Sequence, residues 1–299
     1  MYPSYLNFLR EDLEERVESL WRILKSCTLC PHNCRVNRLK GEKGFCKIGS
    51  LPYVSSAQPH FGEEPPISGR KGSGAIFFSG CNLACVYCQN YEISQLRIGY
   101  EISFEELAGM MIRLQDYGCH NINLVTPTPQ MPQIMKALVL AIEQGLKIPL
   151  VYNTGGYDSV ETLRLLDGIV DIYMPDMKYG DDKTAKKYSL IRDYFKAAKN
   201  AVLEMHRQVG DLAVDERGIA VRGLLVRHLV LPNNLAGSKE VFEFLAKEVS
   251  ENTTVNIMDQ YHPCYKASEH PELDRRITHD EYKEAVEIAR KAGLKSILS

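Results

Sequence analysis

The chain of 299 residues lacks several things that would narrow its function quickly. It has no surplus of either charge: 36 Lys and Arg face 38 Asp and Glu, a net charge of -2. No basic stripe stands out, which argues against non-specific binding to nucleic acid or an anionic membrane. No apolar run approaches the length of a membrane span. There is no repeat and no low-complexity tract. The first residues, "MYPSYLNFLREDLEERVESLWRILKS", lack the basic and then unbroken apolar regions of a signal peptide, so a cytoplasmic protein is expected. What is plentiful is cysteine: nine residues. In a reducing compartment tight cysteine clusters read as metal ligands rather than disulfides.

Seven cysteines form two groups. Cys27, Cys30, Cys34 and Cys46 lie in a Gly- and Lys-rich segment, and Cys81, Cys85 and Cys88 lie within "CNLACVYC". Cys119 and Cys264 stand alone. Leu13, Val17, Leu20 and Leu24 recur at helical spacing and predict an amphipathic helix ahead of the first group. A Pro- and Gly-rich link follows, and we place a boundary near residue 70. Residues 1–70 then form a helix and four-cysteine metal segment; residues 71–299 form the main domain and a C-terminal helix.

From residue 71 strands and helices alternate. Six apolar runs read as strands: "GAIFFSG", "HNINLVTP", "IPLVYNTGG", "IVDIYMPDMK", "LLVRHLVLP" and "TVNIMDQYHP". Ser103 with Glu106, and Thr278 with Glu281, are spaced as capping boxes, and Asp158 suits a helix N-cap. One long helical stretch is expected from about Asp182 to Val209, and a hairpin turning at "DERG". Such alternation implies right-handed βαβ units and an α/β fold with a parallel sheet, either doubly wound or an incomplete barrel. In both, the site sits at the strand C-terminal ends. The cysteine triplet, "TPTPQ", "YNTGG", "PDMK" and "DQYHP" all fall there.

Three thiolates on one loop favour an iron–sulfur cluster, zinc or copper(I). Structural zinc wants four ligands. Three cysteines on a [4Fe-4S] cluster leave one iron open. The alternative is a zinc site completed by a distant His or Cys. The four N-terminal cysteines make a closed site by count, for zinc or a fully ligated [4Fe-4S] cluster. A cluster there would relay electrons or bind substrate; a zinc knuckle would dock a protein.

The spacing Cys81-x3-Cys85-x2-Cys88, with Tyr87 before the third cysteine and a strand before the loop, resembles the radical S-adenosylmethionine (radical SAM) superfamily. Within it the chain resembles pyruvate formate-lyase activating enzymes and their uncharacterised relatives, over about residues 70–265. The resemblance implies an incomplete (β/α)6 barrel, a [4Fe-4S] cluster on Cys81, Cys85 and Cys88, and S-adenosylmethionine chelated at the open iron. One electron from an external donor would release a 5′-deoxyadenosyl radical that abstracts hydrogen from a substrate. It also implies cofactor contacts from Asn153, Asp176, Lys178, Arg227 and His262, with Tyr87 beside the cluster. A carboxylate and an amide suit ribose hydroxyls, and Lys and Arg suit the methionine carboxylate. One departure stands out. The Gly-Gly-Glu expected after the second strand reads "LVTPTPQ", with no acid, leaving Thr126, Thr128, Gln130 or backbone carbonyls to receive the methionine ammonium. The substrate is expected to be a protein, as for a glycyl-radical activase. A small molecule or peptide, or a non-catalytic iron–sulfur or zinc protein, are the alternatives.

Overall fold

The computed structural model describes residues 2–298. Ten strands form it: β1 (Tyr53–His60), β2 (Ser73–Phe78), β3 (Tyr100–Glu101), β4 (Ile122–Val125), β5 (Leu150–Thr154), β6 (Ile172–Pro175), β7 (Ala213–Val214), β8 (Ala220–Leu229), β9 (Thr254–Met258) and β10 (Ser296–Leu298). The parallel run β2-β4-β5-β6-β8-β9-β10 steps in one direction without reversal. A doubly wound sheet reverses its strand order at a switch point. This one does not, so it is a curled α/β barrel segment. It stays open: among the described residues β10 has no pairing with the β1–β3 edge.

All six expected parallel strands are present, because each is an apolar run buried on both faces, as parallel strands are. Leu124, Tyr152 and Tyr173 are fully buried. Helices cover the outer face. Phe104–Tyr117 opens on the Ser103–Glu106 capping box, and His279–Ala292 on the Thr278–Glu281 box. Leu13, Leu20 and Leu24, in and just past the helix Arg10–Ile23, are buried, and the helix lies against Met131–Glu143. Burying one leucine stabilises by about 1.5–3 kcal/mol, so this N-terminal helix is held firmly.

Four features differ from the sequence reading. The boundary near residue 70 falls between β1 and β2, which pair antiparallel from Val54–Phe78 to His60–Ser73. The N-terminal segment therefore supplies a strand of the sheet, between β2 and the short β3. The C-terminal helix is followed by β10, a seventh parallel strand beside β9. The stretch 182–209 is two helices, Asp182–Ser189 and Tyr194–Val209, parted where Leu190 and Asp193 take left-handed backbone (φ 56° and 51°). Finally, the N-cap of the helix Val160–Arg164 is Ser159, not Asp158. Asp158 is buried and accepts from Thr128 Oγ1 (2.6 Å), Thr154 Oγ1 (2.7 Å) and Tyr152 OH (2.8 Å). A carboxylate beneath three hydroxyls is too well used to turn outward and cap.

Candidate active site

The loop after β2 carries the triplet, and its path is fixed from outside itself. Ala84 and Val86 donate backbone N–H to the carbonyls of Ser189 (3.1 Å) and Tyr188 (2.8 Å), and Lys266 donates to Val86 (2.8 Å). Each thiol also has a polar neighbour: Leu83 N–H at Cys81 (3.3 Å), Ser189 Oγ at Cys85 (2.9 Å), and Ser94 Oγ at Cys88 (3.2 Å). Hydrogen bonds to sulfur tune a thiolate centre. Burial pushes the Cys85 thiol up to about 11, against the pull of the Lys178 ammonium, and pushes Cys81 up as well. Metal binding would release these protons.

The three cysteines face a cavity of about 390 Å³ at the C-terminal ends of the parallel strands. That volume suits a small-molecule cofactor. Across it runs a chain of charge. Arg227, on β8, donates from Nε to Asp176 (2.8 Å), from Nη2 to Asn153 (2.6 Å) and from Nη1 to Glu63 (3.3 Å). Lys178 Nζ donates to the other oxygen of Asp176 (2.6 Å). The backbone keeps this register beyond the strand ends: Asp176 N–H donates to Thr154 and Met177 N–H to Arg227, each at 2.8 Å. Burial would raise the Asp176 carboxyl, but Arg227 and Lys178 outweigh it and hold it below its ordinary value. For Glu63 burial wins over Arg227, and its carboxyl is raised. Arg227 has five N–H groups and spends three; Lys178 has three and spends one. Two donors remain on each.

The structure thus brings together Cys81, Cys85, Cys88, Tyr87, Thr126, Asn153, Asp176, Lys178 and Arg227. Tyr87 is buried at the rim against Tyr179 and Tyr261. His262 is not on the cavity wall. The chain turns away after β9, Tyr261 buries its ring and donates to Leu273, and among the described residues His262 meets Gln89 (3.4 Å) and the carbonyl of Gln260. Gln260 and Gln89 line the cavity in its place.

Of the groups considered for the missing acid, two are occupied. Thr128 bonds Asp158 and Thr154, and Gln130 bonds Tyr53 and Ser79. Only Thr126 lines the cavity, and it does so with left-handed backbone (φ 62°). For a β-branched residue that is strained, and such strain collects at functional sites. Glu63 escaped the sequence reading because it sits in the Pro- and Gly-rich link, where acids are ordinarily solvated. Its one signal was the pair Glu63–Glu64 in the link that leads to the first parallel strand.

Fold and site define a chain with a three-cysteine loop after the first strand of an open α/β barrel. Residues 75–214 match the radical SAM superfamily. An uncharacterised protein of Methanocaldococcus jannaschii is 37% identical over 292 residues, covering 94% of this chain and 79% of the relative. The pyruvate formate-lyase-activating enzyme of Clostridium pasteurianum is 28% identical over 181 residues, 57% of this chain and 66% of that one. Among solved structures, Streptococcus suis SuiB bound to precursor peptide SuiA matches with a TM-score of 0.48 at 15% identity, over 73% of this chain and 46% of that one. This chain spans about half the length of that protein. The chain belongs to the radical SAM superfamily. No helix among the described residues is long and apolar enough to cross a membrane.

Proposed function

We propose that this chain is an enzyme that reductively cleaves S-adenosylmethionine at a [4Fe-4S] cluster held by Cys81, Cys85 and Cys88. The observation that carries this is the opposition, across one cavity, of three thiols and the Glu63–Arg227–Asp176–Lys178 chain. The donor set fits the cofactors: three soft sulfurs for iron, and free N–H groups and carboxylates for an amino acid's carboxylate and ammonium. When bound, the cluster and S-adenosylmethionine would supply one-electron reductive cleavage and, through it, hydrogen abstraction from the substrate.

The residues do the positioning. The two free N–H groups on Lys178 and the two on Arg227 orient the methionine carboxylate. Thr126 and Glu63 take the ammonium that the family's Gly-Gly-Glu would hold. Asn153 and Asp176 present an amide and a carboxylate to the ribose hydroxyls. Leu83, Phe77 and Val125 are apolar wall that keeps water out.

The likeness to the Clostridium pasteurianum activating enzyme supports a protein substrate. The segment 188–209 does not add to that support. Its Tyr188, Ile191, Tyr194, Ala198, Val202 and Met205 are buried in the core rather than offered as a docking face.

The test is anaerobic reconstitution with iron and sulfide, then dithionite and S-adenosylmethionine, measuring 5′-deoxyadenosine. Wild type should form it and Cys88→Ala should not. A loaded, reducible protein that forms none would overturn the reading, as would undiminished cleavage by Cys88→Ala. Transfer of deuterium from labelled substrates into 5′-deoxyadenosine then separates protein from small-molecule targets.

A further inference from the structure

Cys27, Cys30, Cys34 and Cys46 line one small hollow beside the triplet loop. Backbone bonds fold the segment round it: Cys27 N–H donates to Val36 and Arg35 N–H to Cys27, both at 3.0 Å. A Cβ at Gly44 would lie 2.9 Å from Cys34 Sγ, so this close approach requires glycine. His32, the one imidazole nearby, has Nε2 bound to the carbonyl of Asn82 (2.8 Å) and its ring stacked on Phe45. The donor set is therefore four thiols.

Arg38 shows what charge that set carries. It is 1% exposed. Its N–H groups go to the carbonyls of Gly49 (3.0 and 2.6 Å) and Pro129 (2.8 Å), and Nη1 lies 4.0 Å from Cys27 Sγ. Among the described residues no carboxylate pairs with it. A buried cation without a counter-charge is strongly destabilising. Thiolates around bound metal supply the missing negative charge. Four thiolates on one hollow match the ligand set of a fully ligated [4Fe-4S] cluster as well as that of zinc. The neighbouring triplet loop favours the cluster, because only a redox-active centre placed beside it can pass an electron on.

The hollow also adjoins the triplet. Asn82, which binds His32, follows Cys81 directly. Gly80 precedes it, and a Cβ there would lie 2.9 Å from the carbonyl of Cys46 and 2.6 Å from Ile48 Cδ1. Outward, Arg35, Lys40, Lys43 and Lys47 are exposed, and the one acid between residues 25 and 47 is Glu42. In a chain of net charge -2 this is a local basic surface.

Taking the triplet as the iron–sulfur site proposed above, we infer that the four N-terminal cysteines hold a second, fully ligated [4Fe-4S] cluster. Through it an acidic one-electron donor protein, docking on the basic rim, reduces the triplet centre. Arg35, Lys40, Lys43 and Lys47 would seat the donor, and the His32–Asn82 contact would link the cluster, on accepting one electron, to the triplet loop. No atom or proton is transferred.

Two measurements test this. The variant Cys81→Ala, Cys85→Ala, Cys88→Ala keeps only the N-terminal four. After anaerobic reconstitution it should hold one cluster's iron and sulfide and give a reduced-cluster electron paramagnetic resonance signal with dithionite. Zinc without sulfide, or no metal while wild type binds only one cluster, would overturn the inference. Next, Lys43→Glu with Lys47→Glu leaves the core untouched. Reduced flavodoxin, an acidic donor, should reduce this variant's triplet cluster about tenfold more slowly than wild type at low salt, with the gap closing at high salt. Dithionite should reduce both alike. Equal rates with flavodoxin would remove the relay. Neither measurement requires S-adenosylmethionine cleavage, so a failure here is distinct from a failure of the proposed activity.

Discussion

His228 gives the sharpest quantitative expectation. It is completely buried on β8, beside Arg227 but on the strand's other face. Nδ1 lies 2.7 Å from the carbonyl of Met177 and Nε2 lies 2.9 Å from Ser238 Oγ. A carbonyl only accepts, so Nδ1 carries the hydrogen and Nε2 accepts from the serine. The neutral ring is thus satisfied on both nitrogens, and it braces the backbone between Asp176 and Lys178 from behind. Burial holds its pKa at about 4 against an ordinary 6.5, outweighing the Met177 carbonyl and Asp176, which favour the cation. The sign follows from proton binding. Above pH 6.5 both folded and unfolded rings are neutral and the stabilisation is whole. As pH falls from 6.5 toward 4 the unfolded ring takes a proton that the folded ring refuses, and stability drains away. At pH 5 the loss works out at about 2 kcal/mol, from about 1.4 kcal/mol per pKa unit. His228→Asn keeps a donor near Met177 and removes the titration. It will itself be less stable at pH 7, by about 1–3 kcal/mol, through the orphaned serine. That offset cancels in the comparison that matters, the change from pH 7 to pH 5. His32 and His120, also held down by burial, are common to both proteins. Anaerobic urea unfolding at the two pH values should show wild type losing about 2 kcal/mol more than His228→Asn. Equal losses would refute the reasoning.

Three further expectations follow from the site. In Gly156→Ala the new Cβ would stand 2.4 Å from the Asp176 carbonyl at a residue with φ 79°, so unfolding free energy should fall by about 3 kcal/mol; an unmoved urea midpoint would show that this turn yields. Arg227→Met leaves Glu63 without a cation and Asp176 with Lys178 alone, with an expected loss of about 3 kcal/mol and of S-adenosylmethionine binding by equilibrium dialysis; retained binding would take Arg227 out of the cofactor site. Thr126→Gly relieves the left-handed backbone and should stabilise the apoprotein by about 1 kcal/mol, while its cofactor affinity drops about tenfold; no gain in stability would mean that the strain is not there.

What the sequence revealed, and what it hid, divides along physical lines. The six parallel strands are continuous apolar runs, so the strands were readable, and the polar motifs that follow them mark their C-terminal ends. β1 was not, because beyond Val54 the run "YVSSAQPH" is paired on one side only: its pairing with β2 uses backbone, its side chains are half exposed, and Pro59 sits where a strand paired on both sides would not tolerate it. Asp158 was misplaced for a related reason. Spacing shows that an acid precedes a helix, but only the fold shows three hydroxyls converging on it. Thr128 and Thr126 are two residues apart and equal as candidates in the sequence. The strained backbone of Thr126 turns it to the cavity while Thr128 is committed to Asp158.

The missing acid after β4 then has a consistent account. The cavity holds two fixed cations, Lys178 and Arg227, and two carboxylates, Asp176 and Glu63, so its side-chain charges sum to zero. They are not equally settled. Asp176 lies between both cations and its carboxyl is held down, whereas Glu63 reaches one Arg227 nitrogen at 3.3 Å and its carboxyl is raised by burial. In the proposed site a ligand bringing one carboxylate and one ammonium would rebalance this arrangement: its carboxylate would draw on the spare donors of Arg227 and Lys178, and its ammonium would add a second cation beside Glu63, which Arg227 alone reaches. In the proposed site, an acid supplied from the link before β2 would do electrostatically what an acid after β4 would do. That link is tied into the site by the pairing of β1 with β2, so the N-terminal segment brings to this cavity both a carboxylate and, on its other side, four more cysteines.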